Sequence, residues 1–184
     1  ILLGALRSPE EIGIYTIASR GADLVLLTLT ITNIVLAPAL AKAHAKNAKD
    51  ELQRIVTLGA RVSSLGSLGL AAVLGLGASF FLSLFGSEYV AGTNALRILS
   101  VGGLMNVFAG PIVQVLSMTG NATAVAMGFG AGIILNIVLN LFLVPTYGIE
   151  GAATATALST LVWNTVMVVV VVRRLGINPT ALAG

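Results

Sequence analysis

Long uncharged apolar runs dominate the second half of the chain. The 52 residues from Ile98 to Ile149 include no Lys, Arg, Asp, Glu or His. A membrane-spanning helix needs about 20 apolar residues, so this run is too long for one span and has room for two. It is interrupted at Gly120-Asn121, where glycine can end one helix and asparagine can begin the next. Another 22 uncharged residues extend from Gly151 to Val172. This pattern predicts an integral membrane protein.

Extending the same pattern over the chain predicts an all-α fold, a polytopic transmembrane helix bundle of about five full spans plus the end of a sixth. The end of the preceding span falls on residues 1–6. Pro38 and Gly110-Pro111 are expected to kink or loosen their helices. The five spans, A to E, are expected at about residues 12–41, 55–85, 90–118, 122–144 and 151–172.

Composition supports a membrane protein and excludes several kinds of site. Hydrophobic residues make up 57% of the chain and charged residues 9%, with a mean hydropathy of +0.99. A globular protein carries about 25% charged residues. The chain has no cysteine, which excludes disulfides, thiolate metal sites and cysteine nucleophiles. Frequent Gly and Ala in the spans predict close helix packing without a detached soluble domain.

Basic residues lie mainly at span ends and predict an orientation. On one side of the predicted topology, the loops contain a single basic residue, Arg7, together with the acidic residues Glu10, Glu11, Glu88 and Glu150. Cytoplasmic loops are enriched in Lys and Arg, so the A–B loop and the C-terminus are placed in the cytoplasm. Because these charges do not form one solvated face, no nucleic-acid partner is expected. Six basic residues share the cytoplasmic side: Lys42, Lys46, Lys49, Arg54, Arg173 and Arg174.

Three arginines within the spans are candidate substrate contacts. Charged residues inside membranes are costly and usually face a bundle interior or a cavity. Arg20, Arg97 and Arg61 can bind a pyrophosphate headgroup, since guanidinium pairs with phosphate through two hydrogen bonds. A structural role is the alternative: Arg20 pairs with Asp23 or Glu88, and Arg61 extends to the interface.

Asp23 is the candidate coupling site, because intramembrane carboxylates often carry protons in transporters. A neighbouring Arg20 favours the ionised carboxylate instead. Asn136 and Asn140, one turn apart, either contact sugar hydroxyls or join helices by hydrogen bonds. The sequence has no paired carboxylates, metal-ligand cluster or nucleophile–base pair, so neither an enzyme nor a cofactor is expected.

Several ordered motifs carry a resemblance that covers nearly the whole chain. They are Ser8-Pro9-Glu10-Glu11, Phe85-Gly86-Ser87-Glu88-Tyr89, Ala95-Leu96-Arg97-Ile98-Leu99, Gly110-Pro111, Met118-Thr119-Gly120-Asn121, Asn136, Asn140, Pro145-Thr146-Tyr147-Gly148-Ile149-Glu150-Gly151 and Arg173-Arg174-Leu175-Gly176. In these motifs the chain resembles the C-terminal half of the polysaccharide flippases, in the multidrug/oligosaccharidyl-lipid/polysaccharide exporter superfamily.

The resemblance implies a two-lobe transporter, of which residues 1–184 are the C-terminal lobe and the N-terminal lobe is absent. It implies alternating access and a polyprenyl-pyrophosphate-linked glycan as substrate. The expected setting is the bacterial inner membrane, with membrane lipids and the missing lobe as partners. A cation-coupled multidrug antiporter of the same superfamily is the alternative. A membrane-embedded enzyme would need an acid, base or metal-binding loop that the sequence does not show.

Overall fold

In the computed structural model, residues 7–182 are described and form an all-helical chain. The predicted end of a preceding span at residues 1–6 lies outside the described residues. A short 3₁₀ helix, Ser87–Gly92, precedes the fourth α-helix. The α-helices are α1 (Pro9–Ala45), α2 (Lys49–Leu76), α3 (Ala78–Ser83), α4 (Thr93–Phe108), α5 (Ile112–Met118) and α6 (Ala122–Leu175).

Local sequence fixes the start of α1. The Ser8 hydroxyl accepts a hydrogen bond from the Glu11 backbone N–H at 3.3 Å, and the Glu11 carboxylate accepts one from the Ser8 N–H at 3.4 Å. This reciprocal pair is a capping box, which satisfies N–H groups left free at a helix start. Pro9 occupies the first helical turn, where its missing N–H costs nothing. The helix then continues through Pro38, so the expected kink there does not end it.

Small and hydroxyl side chains join α1 to α2. The Thr28 hydroxyl donates to the Ser63 carbonyl at 3.0 Å, and the Ser67 hydroxyl donates to the Val25 carbonyl at 2.6 Å. A methyl group on Gly66 would lie 2.7 Å from the Thr28 methyl carbon, so glycine is required for this approach. These contacts agree with the close helix packing predicted for the spans from their small residues.

The predicted spans B and C are each interrupted. α2 ends at Leu76, and α3 begins after Gly77. Within span C, residues 109–111 separate α4 from α5, and the helices bend by 41°. Gly110 has a φ of +81°, a backbone conformation that glycine adopts without strain. The expected kink at Gly110-Pro111 is therefore confirmed, and the segment predicted as span B is divided at Gly77.

Helix α6 is a hairpin rather than a straight rod. Its 54 residues would extend about 80 Å, far beyond a hydrocarbon core of about 30 Å. Gly148 interrupts it with φ +56° and ψ −133°, which separates a first limb (122–147) from a second limb (149–175). Asn136 on the first limb donates to the Ser159 hydroxyl on the second at 3.1 Å, and the Phe129 and Trp163 rings are 4.8 Å apart. These contacts align the limbs antiparallel.

By length and composition, three described helices are able to cross a membrane: α1, α2 and α6. A fourth is added if Ser87–Phe108 and Ile112–Met118 count as one bent span. The chain is thus a multi-pass helical membrane protein, and the number of five crossings stays a prediction. Large apolar side chains on α1, such as Ile31, Ile34 and Val35, are 60–70% exposed, as expected of a surface made to contact lipid or other helices.

The bundle separates charge between its two ends. At the basic end, Arg174 donates to the Asn121 side chain at 2.9 Å, and Lys49 lies beside Gly176. At the opposite end, which we call the acidic end, Asn94 donates to the Glu150 carboxylate at 2.8 Å. Arg7 also lies there, donating to the Val144 carbonyl at 2.6 Å. The two ends thus differ in their balance of basic and acidic residues, although Asp50 and Glu51 in the first turn of α2 also lie at the basic end.

Candidate functional site

A polar crevice opens between α1, α4 and the second limb of α6. It encloses about 140 Å³. Gly102 and Gly103 of α4 contribute to its wall and add no side chains there. The polar side chains that line it come from all three helices: Tyr15, Ser19, Asp23, Asn106, Thr156 and Thr160.

Helical spacing explains why these polar groups meet. Tyr15, Ser19 and Asp23 follow one another at intervals of four residues, which places them along one face of α1. Thr156 and Thr160 have the same spacing on the second limb of α6. Two polar stripes therefore face each other across the crevice.

Hydrogen bonds hold the crevice at two points. The hydroxyls of Tyr15 and Thr156 are 3.3 Å apart and join α1 to the second limb of α6. Asn164 donates to the Asn106 side-chain oxygen at 2.9 Å, which joins the same limb to α4. Hydroxyl, amide and carboxylate groups of this kind bind sugar hydroxyls, because they include both donors and acceptors.

Asp23 lines the crevice beside a partner on its own helix. Its carboxylate lies 3.6 Å from the Arg20 guanidinium, and the two side chains are 58% and 78% exposed. The pair predicted from the sequence is therefore present. Its exposure matters, because an ion pair in contact with lipid hydrocarbon would be costly.

Arg97 lies away from this crevice. Its side chain lines a second groove, on the other side of the contact between α4 and the second limb of α6. The Arg97 Nε donates to the Gly75 carbonyl, near the end of α2, at 2.9 Å. The structure thus separates Arg97 from Arg20, and the two do not form one anion site within residues 7–182.

Arg61 and the two asparagines are engaged within the chain. Arg61 Nε lies 3.4 Å from the Ala181 carbonyl of the C-terminal tail. Asn140 donates to the Asn136 side-chain oxygen at 3.0 Å, and Asn136 in turn contacts Ser159. The asparagines thus connect the limbs of α6, as their alternative interpretation expects. Neither Arg61 nor the asparagines line the polar crevice.

Sequence reasoning assigned no role to Ser19 or to Tyr15. The signal was available in the spacing of four residues from Tyr15 through Ser19 to Asp23. A hydropathy profile does not reveal this spacing, because one polar residue per turn scarcely lowers the mean hydropathy of an apolar helix. Among the described residues, no group of three His, Asp or Glu side chains forms a metal-binding cluster.

Comparison with known proteins finds relatives among membrane transporters. The chain is 27% identical to a probable low-salt glycan biosynthesis flippase, Agl15, of Haloferax volcanii over 90% of its length. It is 30% identical to the probable flippase AglR of the same organism over 86%. It is 40% identical to the uncharacterized membrane protein YabM of Bacillus subtilis over half of the chain. The resemblance to flippases is therefore confirmed.

The chain spans only part of these relatives. It covers 35% of Agl15, 34% of AglR and 19% of YabM. No protein-family model matches the chain, and no solved structure matches it.

Proposed function

We propose that the chain is part of a flippase that moves lipid-linked oligosaccharide across the cell membrane for surface polysaccharide synthesis. The observation that carries this proposal is its similarity to two proteins named as flippases over 86–90% of its length. One of these names includes glycan biosynthesis. The polar crevice supports it, since its hydroxyl and amide groups suit a sugar headgroup.

Asp23, which lines the crevice, and Arg20, which pairs with Asp23 beside it, provide the proposed contacts with substrate. Arg20 binds the pyrophosphate, and Asp23 binds sugar hydroxyls beside it. Arg20 lies about 17 Å along α1 from Pro9, well inside the predicted span. A 78% exposed arginine at that depth is stable only where it faces water or protein, which supports a position beside a transport cavity.

The remaining candidates are assigned less direct roles. Asn136 and Asn140 hold the limbs of α6 together and contact sugar only if the hairpin opens. Arg61, beside the C-terminal tail, contacts the anionic headgroup as it enters. Arg97 faces a separate groove. We propose no catalytic residue and no cofactor.

The architecture of the whole transporter belongs to the same proposal. The chain forms the C-terminal lobe, an N-terminal lobe completes the cavity, and the lobes alternate between inward-open and outward-open states. The substrate is a glycan on polyprenyl pyrophosphate, and the basic end faces the cytoplasm of a bacterial inner membrane. Its basic side chains favour that orientation.

A cation-coupled multidrug antiporter is the second candidate. One observation favours it: Asp23 is a carboxylate that lines a crevice within the bundle. Protonation or cation binding at such a group can drive transport. The Arg20 guanidinium at 3.6 Å argues against protonation, because a positive neighbour favours the charged carboxylate.

The deciding experiment is complementation in a strain that lacks its flippase. The full-length gene encoding this chain is compared with Arg20→Gln and Asp23→Asn variants at matched membrane expression. We expect each variant to reduce surface polysaccharide about tenfold or more, because a charged hydrogen-bonding group is lost. The lipid-linked precursor should accumulate at the cytoplasmic side.

Arg54→Gln is the matched control, since it removes a positive charge in the first turns of α2, away from the crevice. It should complement like the wild type. Failure of the wild type in every glycan pathway, together with Asp23-dependent drug efflux, would establish the antiporter instead. Full polysaccharide in both Arg20→Gln and Asp23→Asn would show that Arg20 and Asp23 do not contact substrate.

A further inference from the structure

An apolar groove runs along the outer surface of the bundle between α4 and the second limb of α6. It encloses about 370 Å³, within the range of about 300–1,000 Å³ typical of ligand sites. A direct contact between Gly102 and Ala157 separates the groove from the polar crevice, because both sites include these two residues. Ile98, Val101, Met105, Leu158 and Leu161 line the groove.

The groove has a polar end and an apolar end. On α4 its lining residues progress from Arg97 to Met105, and on α6 from Thr154 to Leu161. Both segments run from the acidic end towards the middle of the bundle. The polar residues Arg97 and Thr154 therefore lie at one end of the groove, and apolar residues occupy the rest. This is the arrangement that an amphipathic chain with a polar head requires.

Arg97 retains donors for an anion. Its Nε donates to the Gly75 carbonyl, which fixes the guanidinium beside the end of α2. Arginine has four further N–H donors on its two terminal nitrogens, in a geometry that matches phosphate. Arg97 is one turn from the start of α4, about 6 Å along the helix. That depth suits a side chain reaching lipid headgroups.

We propose that this groove binds one acyl chain of an anionic membrane phospholipid, with the lipid phosphate held by Arg97. Charge complementarity favours an anionic head over a zwitterionic one. Glu150 lies one turn before Thr154 and is the acidic residue on this part of α6. Its carboxylate accepts a hydrogen bond from the Asn94 amide at 2.8 Å, so Glu150 is held by Asn94 and leaves Arg97 available to the lipid phosphate. This bound lipid is separate from the transported substrate and does not depend on the proposed flippase activity.

The test is native mass spectrometry of the purified full-length protein. The protein is incubated with equal amounts of phosphatidylglycerol and phosphatidylcholine that have identical acyl chains. We expect the wild type to retain one phosphatidylglycerol preferentially. Arg97→Gln should reduce that preference about fivefold, the effect of one basic side chain on an anionic lipid at the membrane surface.

Two further variants separate the acyl groove from general charge. Val101→Trp keeps Arg97 but fills the groove, and it should reduce retention of both phospholipids. Arg54→Gln removes a positive charge at the basic end and should leave the preference unchanged. An unchanged preference in Arg97→Gln, or an equal loss in Arg54→Gln, would overturn the proposal.

A polyprenyl phosphate competitor identifies the class of lipid. Phosphatidylglycerol that stays bound at equimolar competitor supports a phospholipid site. Displacement of phosphatidylglycerol by a small fraction of that amount would show that the groove belongs to the lipid carrier, and the proposal would be wrong.

Discussion

Gly102 and Gly103 are neighbours on α4 with different surroundings. A methyl group on Gly102 would lie 2.9 Å from the Ala157 Cβ and 3.0 Å from its Cα. A methyl group on Gly103 would lie 3.6 Å from Val25, at ordinary van der Waals contact. The contact of α4 with the second limb of α6 thus depends on one glycine, and that contact also divides the crevice from the groove.

This difference gives a matched pair of substitutions. Gly102→Ala should destabilise the protein by about 1–3 kcal/mol, because the added carbon overfills a packed contact. Gly103→Ala should be neutral or stabilising by up to about 1 kcal/mol, since alanine favours a helix more than glycine does. Thermal unfolding of the two purified variants measures the difference. Equal melting temperatures would contradict the close approach of α4 to α6.

Polar residues in the crevice show what single positions reveal in an apolar chain. Asp23 and Arg20 stand out in the sequence because charge is rare within the spans. Ser19 does not, because hydroxyl residues are common in membrane helices and usually bond to their own backbone. Thr156, for example, donates to the Ala152 carbonyl at 2.9 Å while also facing Tyr15.

At the scale of elements, Gly148 decides how α6 is organised. Its backbone has a φ of +56° and a ψ of −133°, and residues other than glycine adopt this conformation only with strain. On either side, the limbs contact each other through Asn136 and Ser159 and through Phe129 and Trp163. The hairpin therefore gives each of the predicted crossings, D and E, a separate limb of α6.

Cysteine labelling tests that topology directly, because the chain has no cysteine. Single cysteines at Gly120 and Tyr147 in an otherwise cysteine-free full-length protein should be labelled from opposite sides of the membrane. Gly120 is expected to react from the cytoplasm and Tyr147 from outside. A cysteine at Asn178 serves as the control and should match Gly120. Labelling of Gly120 and Tyr147 from the same side would exclude a crossing by the first limb.

At the scale of the whole molecule, the C-terminal tail forms hydrogen bonds with both α2 and α4. After Gly176, the tail returns along the bundle, and Asn178 exchanges two backbone hydrogen bonds of 2.7 Å with the Gln53 side chain. The Ala181 N–H donates to the Phe108 carbonyl at 3.2 Å, beside the break between α4 and α5. The tail thus supplies a partner for a carbonyl at the end of α4.

Removing the tail contact should lower overall stability modestly. Gln53→Leu loses both bonds to Asn178, each worth about 1 kcal/mol or less because the site is exposed to water. We expect a melting temperature a few degrees lower and faster proteolysis of the tail. Arg54→Gln, on the adjacent residue, is the control and should behave as the wild type. Unchanged proteolysis in Gln53→Leu would show that the tail is held by other contacts.

Hydropathy and charge along the chain determined the class of this protein. Uncharged apolar runs such as 98–149 are long enough for membrane-spanning helices and far longer than a barrel strand. A helix satisfies all its backbone groups internally in lipid, so an all-helical membrane fold follows from the sequence. The kink at Gly110-Pro111 could also be predicted from the sequence, because glycine and proline change the conformation of the backbone at their own positions.

Tertiary structure decided which side chains share a site. Tyr15 and Thr156 are 141 residues apart, and their meeting depends on how α1, α4 and α6 pack. For the same reason only the fold separated Arg97 from Arg20, although both are arginines within predicted spans. Helical periodicity gives the face of a residue along its own helix, but the neighbour of that face is set by contacts between helices.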